Sequence, residues 1–361
     1  MNRMDQPVKN YSDFIGRRAI INKIYARIGA GRPQSVSIVG DAKIGKSALL
    51  WYLAHADTRR QFLANSEDYI YLYIPCREIN PASLENFSRR LFRLTSAYAP
   101  INDETDHSKF NYNHYKHLIE SLHKQHKKII LFLDDFNLIT LNPAFPLEFF
   151  SFLRSLANNY NVAYVTTSYE DLQKLCVSKD IEESPFFNIF TNMSLRGFED
   201  SEIEQFLDLI CHAADADVNT FKSYLINLAG CFPYPLQVVC EGLKADSVKI
   251  LSGDPEIERQ LFEKLQDHFQ VVWDRLDVAH KDVLKLLSAG KRIPAGLQYL
   301  LRDLSKKNYI KYNGNSEAAI HGLLFSHFVA RRAGIAIRNT QSGKKEHRLK
   351  VWLKRVLGII K

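Results

Sequence analysis

The sequence predicts an α/β fold: a parallel sheet with helices on both faces, then an all-helical segment and a small module of two helices and a hairpin. Three patterns predict it. Over roughly the first 195 residues, short runs that are apolar throughout alternate with stretches of helical spacing, and strands lacking a polar face belong to sheets covered on both sides. From about residue 195 the strand-like runs stop, and helical periodicity continues through about 268. Near Asn313-Gly314 a turn pair lies between two strand-like runs, a strong hairpin signal.

The elements follow in order. Residues 16–30 (GRRAIINKIYARIGA) place Ile20, Ile21, Ile24, Tyr25 and Ile28 at helical spacing. Gln34–Gly40 reads as a short buried strand, Gly40–Ser47 as a loop and Ala48–His55 as an apolar helix. Tyr69–Ile74 is a second strand, Ser83–Leu94 an amphipathic helix, Lys128–Asp134 an apolar run ending in acid, and Val162–Thr166 a fourth strand. Beyond the helical stretch, Leu276–Ser288 and Leu297–Lys307 read as helices, and Tyr309–Tyr312 opens the hairpin. No internal repeat or low-complexity stretch interrupts the pattern.

Composition narrows the class. With 46% hydrophobic and 24% charged residues, the chain is globular rather than disordered or fibrous. No run of 18 apolar residues suggests a membrane span, and MNRMDQPVKNYSDF lacks the apolar core and cleavage site of a secretion signal. The five cysteines are odd in number, scattered and without a C-x-x-C, so reduced thiols in a cytoplasmic protein are expected. Residues 331–361 hold ten Lys or Arg against Glu346 alone, a surplus of +9, which leaves residues 1–330 at −1 of the formal +8. A body so near neutrality argues against a broad nucleic-acid-binding surface.

The chemistry concentrates at Gly40-Asp41-Ala42-Lys43-Ile44-Gly45-Lys46-Ser47, which matches G-x-x-x-x-G-K-[ST] with an apolar strand before it and a helix, starting at Ala48, after it. The two glycines let the backbone wrap around phosphates with its N–H groups inward, and the new helix presents its positive end to the anion. In this motif Lys46 reaches the β and γ phosphates and Ser47 ligates Mg²⁺. The run Ile129–Asp134-Asp135 supplies the complement: a carboxylate ending a buried strand beside the phosphate loop. Asp134 is expected to hold Mg²⁺, and Asp135 to polarise the attacking water as general base. Being shorter than glutamate, Asp135 implies slow turnover. Thr166-Thr167-Ser168 ends the fourth strand, where a hydroxyl of Thr167 or Ser168 could sense the γ-phosphate across the crevice.

At these residues the sequence resembles a family. Phe14-Ile-Gly16-Arg17-Arg18 is similar to the F-x-G-R box that opens many AAA+ and STAND ATPases, and Ile44-Gly-Lys-Ser-Ala-Leu-Leu50 to their I-G-K-S-S-L-L continuation. Asp134-Asp135 resembles the paired acids of STAND proteins, and Gly230-Cys-Phe-Pro233-Tyr-Pro-Leu-Gln237 the G-x-x-P-Y-x-x-Q signature of their helical lid. The resemblance spans about residues 10–332. It implies a P-loop core at 1–195, a helical lid at 196–268 and a winged helix at 269–332; the charge of the remaining residues makes 333–361 a basic tail. It further implies ATP and Mg²⁺ as ligands, Gly16 and Arg17 beside the adenine, and Pro233 closing over it from the lid. Two departures stand out: Ser168 is followed by Tyr169 where the family often has arginine, and no arginine occurs in the first turns after Pro233. Arg196 is the nearest substitute. A slow switch is therefore expected rather than a motor.

Partners are less defined. With no sensor or effector repeats visible, output is expected through a separate protein, in what the resemblance suggests is a bacterial stress or defence system; homo-oligomers are possible. The second helix of the winged helix offers Arg302, Lys306 and Lys307 against Asp303, so DNA binding is an alternative, not the favoured one. In the tail, Leu349, Trp352, Leu353, Val356, Leu357 and Ile360 share one helical face, with Lys350, Lys354, Arg355 and Lys361 opposite or beside it. Such a helix could dock on its own domain, a partner or an anionic membrane surface. The histidines at 107, 114, 117, 123 and 126 lack metal-site spacing, and Leu251-Ser-Gly-Asp254 is a truncated likeness of a transporter signature.

Overall fold

The structure, a computed structural model, describes residues 14–99, 112–211, 218–245, 254–312 and 317–335. The turn at Asn313-Gly314, the amphipathic tail, His107 and Leu251–Gly253 therefore lie outside the described residues. The chain divides into two compact units: residues up to Asp41 with Gly45–Leu195, and Ala42–Ile44 with Arg196 onward.

In the first unit α1 (Arg18–Ile28) leads into β1 (Ser35–Val39), α2 (Lys46–Ala54) and α3 (Ala56–Phe62). Then come β2 (Tyr69–Pro75), α4 (Leu84–Ser96), α5 (Tyr112–Lys124) and β3 (Lys128–Asp134). The short α6 (Asn137–Thr140), α7 (Leu147–Asn159), β4 (Val162–Ser168), the short α8 (Lys179–Glu182) and β5 (Phe190–Ser194) complete it. Of the stripe predicted on α1, Ile21, Ile24, Tyr25 and Ile28 are buried and Ile20 is half-buried; α4 buries Phe87 and Leu91, and Ser83 caps it by accepting the Asn86 N–H. The sheet is parallel, in the order β2-β3-β4-β1-β5, and β3 and β4 are buried almost along their whole lengths.

Two features depart from expectation. A fifth strand, β5, pairs with β1 (Ser35 opposite Phe190, Val39 opposite Ser194) where no strand was expected. As an edge strand carrying Phe-Thr-Asn-Met-Ser it needs no continuous apolar character, so its sequence does not announce it. The strand β4 continues past Thr166 to Ser168, so the polar cluster forms its last rungs, with Thr167 opposite Ile38 and Ser168 opposite Val39. In the sheet order, β4 lies between β1 and the acid-bearing β3.

The second unit consists of α9 (Asp200–Cys211), α10 (Val218–Ala229), α11 (Pro233–Ala245), α12 (Pro255–Arg275), α13 (Val278–Ser288) and α14 (Gln298–Lys306). The antiparallel pair β6 (Ile310–Tyr312) and β7 (Ala318–Ile320) and the helix α15 (Leu323–Arg332) close it. One continuous apolar core, including Leu228, Leu236, Leu265, Phe269, Leu284 and Phe328, joins these helices. The α12 helix runs straight through the boundary expected at 268/269: Leu265 and Phe269, one turn apart, both belong to that core. Gly230 (φ 76°) and Gly322 (φ 92°) meet back to back, a Cβ on Gly230 falling 3.1 Å from the His321 carbonyl oxygen. Gly230 thus ends α10 where neither a side chain nor an ordinary φ fits.

Candidate functional site

The glycine loop is built at the C-terminal edge of the sheet. After Val39, the Gly40 N–H donates to the Ser168 carbonyl at 3.2 Å, fastening the start of the loop to the end of β4. The chain then passes through left-handed conformations at Lys43 (φ 56°) and Gly45 (φ 99°). The α2 helix begins directly at Lys46, and no side chain caps its N-terminus. This N-terminus is the positive end of the helix, the end that suits an anion. Lys46 is 9% exposed, and its ammonium donates to the carbonyls of Gly40 and Asp41, each at 2.8 Å. Leu49, Leu50 and Leu53, three, four and seven residues on and so on the same buried face of α2 as Lys46, fix where that lysine stands.

The acid pair ends β3. Asp134 is 7% exposed and Asp135 adopts φ 53°. Thr167 connects the two: its hydroxyl donates to Asp134 Oδ1 at 2.5 Å and accepts the Asp135 N–H at 2.8 Å. The second Asp134 oxygen, Oδ2, accepts from the Tyr73 hydroxyl at 3.3 Å. Asp135 Oδ2 accepts from Arg77 Nε at 3.2 Å and a terminal Arg77 nitrogen at 2.9 Å. Burial, then the Asp134 charge, raises the Tyr73 phenol well above its ordinary value, so it remains a proton donor. Burial and then the two carboxylates push the Cys76 thiol up as well, which keeps it unreactive.

The loop and the acid pair are therefore tied to consecutive residues of one strand, Ser168 and Thr167. The two sensor candidates themselves are engaged within the protein. Thr167 gives its single proton to Asp134, and Ser168 gives its own to the Glu170 carbonyl at 2.6 Å. Gly16 (φ 68°) and Arg17 (φ 61°) form a left-handed pair ahead of α1, and the Arg17 side chain is buried. Phe14 stacks on Tyr52 of α2 at 4.2 Å, so this box and the glycine loop are both anchored to α2. In the second unit, Pro233 is the first residue of α11, and Arg196 is exposed.

Two residues of this site escaped the sequence reading, Tyr73 and Arg77. Tyr69, Tyr71 and Tyr73 recur at period two, which was a sign that one face of β2 carries hydroxyls. Nothing local marks Arg77. The donor set suits a nucleotide with its divalent cation: uncapped helix N–H groups and an ammonium for phosphate, a hydroxyl at Ser47 and a buried carboxylate at Asp134 for the metal.

Among solved structures, the chain is similar to a Walker-type ATPase of Pyrococcus abyssi, at 16% identity and TM-score 0.60, over 90% of this chain and 98% of that one. It is also similar to the ADP form of the ORC2 protein of Aeropyrum pernix, at 11% identity and TM-score 0.52, over 90% and 99% of the two chains. These likenesses speak for the fold. No curated protein sequence matches the chain. The family model described as novel STAND NTPase 2 matches residues 30–292, a span that holds the glycine loop, the acid pair and the Gly230–Pro233 box. The chain is a P-loop NTPase of the STAND class and belongs to the novel STAND NTPase 2 family.

Proposed function

We propose that the chain binds ATP with Mg²⁺ in the loop at 40–48, hydrolyses it slowly, and uses the bound and hydrolysed states to regulate a partner protein. The observation that carries this reading is the tie of the glycine loop and the acid pair to Ser168 and Thr167, which holds both at the same edge of one sheet. In this reading Lys46 leaves the Gly40 and Asp41 carbonyls for the β and γ phosphates, and the backbone of the loop beyond Gly40, through Ala48, lines the anion. Ser47 and Asp134 hold the cation, which when bound neutralises charge developing on the phosphates. Gly16, Arg17 and Pro233 attend the adenine; that base is favoured because a structural neighbour bears the name ATPase and another an ADP form.

Asp135 orients the attacking water and takes its proton. Its reach is short and its Oδ2 is held by Arg77, and both features favour a slow rate. A partner whose affinity differs between nucleotide states would draw its regulation from that difference. Mg²⁺-dependent ATP turnover by wild type, Lys46→Ala and Asp135→Asn tests the proposal. Wild type should turn over below about 1 s⁻¹, under the typical enzyme value of about 10 s⁻¹, and both variants should fall to background. Wild-type rates in Lys46→Ala would overturn it.

A further inference from the structure

The carboxylate of Asp134 is held from both sides. The β3 strand, which it ends, lies between β2 and β4, and each neighbour contributes one hydroxyl: Thr167 from β4 to Oδ1 and Tyr73 from β2 to Oδ2. The registry places both hydroxyls on the face of Asp134. Pro75 lies opposite Asp134 and Tyr73 opposite Phe132, and period two brings Tyr73 onto the side of the acid. Leu133 lies opposite Thr166, so Thr167 occupies the next rung. An aspartate alone rotates about two side-chain bonds, whereas two donors on different oxygens fix the plane of its carboxylate. Each oxygen still keeps a lone pair for a cation or its water shell.

We propose that Tyr73 is a positioning residue for the metal-side carboxylate: its hydroxyl sets the orientation in which Asp134 meets Mg²⁺, and so sets the Mg²⁺ concentration at which nucleotide is held tightly. The inference rests on the nucleotide·Mg²⁺ reading of this site. Phenylalanine would fill the same space without donating. Groups that orient a metal-binding carboxylate usually matter by about 10–100-fold in metal affinity, and a 3.3 Å bond belongs at the lower end of that range.

The test is a titration of the full chain with a fluorescent non-hydrolysable ATP analogue, in EDTA and over a series of Mg²⁺ concentrations, for wild type, Tyr73→Phe and Asp134→Asn. For Tyr73→Phe, the half-saturating Mg²⁺ concentration should rise about tenfold, while affinity in EDTA stays at the wild-type value. A rise below about twofold in Tyr73→Phe, with Mg²⁺ dependence abolished in Asp134→Asn, would overturn the positioning role and leave the site reading standing. Mg²⁺ dependence intact in Asp134→Asn would instead overturn the site reading and this inference with it. Equal losses in EDTA and in Mg²⁺ for Tyr73→Phe would assign the residue to packing and also overturn the proposal.

Discussion

Replacing Thr167 by valine removes one oxygen and conserves shape at a fully buried position, so its effect reports the hydrogen-bonded link between β3 and β4. Two bonds go with that oxygen: the one donated to the Asp134 carboxylate at 2.5 Å and the one accepted from the Asp135 N–H at 2.8 Å. A bond to a charged group contributes about 1.5–3 kcal/mol, and a buried donor left without an acceptor costs about 1–3 kcal/mol. Because one oxygen serves both, the terms do not add in full, and a loss of about 2–4 kcal/mol is expected. For a unit of this size that lowers the melting temperature by about 5–15 °C. Thermal unfolding followed by circular dichroism measures it, with Thr167→Ser as the control that keeps the hydroxyl. A Thr167→Val protein within about 1 °C of wild type would show that this network does not hold the acid pair, and the reasoning would fail.

Other predictions follow from the same geometry. Asp135→Asn should lower ATP turnover by about 10²–10⁴-fold while equilibrium binding of ATP·Mg²⁺ stays within a factor of two or so; steady-state kinetics and calorimetry separate these effects. Arg77 is 79% exposed in its pair with Asp135, so Arg77→Ala should change stability by under about 1 kcal/mol in a denaturant titration. His268 on α12 is held down to about 4, chiefly by burial with neighbouring cations adding, whereas an unfolded histidine titrates near 6.5. Its contribution is thus full above about pH 6.5 and is lost as pH falls toward 4, by up to about 3 kcal/mol. A pH series of denaturant midpoints should show that slope, and His268→Phe should flatten it. Gly230→Ala, which places a Cβ 3.1 Å from the His321 carbonyl oxygen at φ 76°, should destabilise the second unit by about 1–3 kcal/mol in the same titration.

Much of the first unit was legible because its signals are local. Strands β1 to β4 are apolar runs, the α1 stripe repeats every three to four residues, and the glycine loop, Lys46 and Ser47 are contiguous in sequence. What escaped depends on distant partners. Tyr73 acquires its role only through Asp134, 61 residues away, and Arg77 through Asp135, 58 residues away. Whether Thr167 is free to meet a phosphate depends on β4 lying between β1 and β3, and this ordering is set by crossovers rather than by the composition of any strand. The edge position of β5 likewise removes the demand for burial that made the other strands visible. In the second unit, helical periodicity marked the helices but not their grouping. A core shared from Leu207 to Val329 makes α12 continuous across residues where the sequence suggested a border.

The central claim is that a triphosphate with its cation is held by Lys46 and the turn that precedes it, and equilibrium binding of ATP·Mg²⁺ to wild type and Lys46→Ala measures this most directly. Lys46→Ala should bind at least about tenfold more weakly, a loss of about 1.4 kcal/mol or more, while its circular dichroism spectrum is unchanged. Equal and tight affinity in the two proteins would contradict the account.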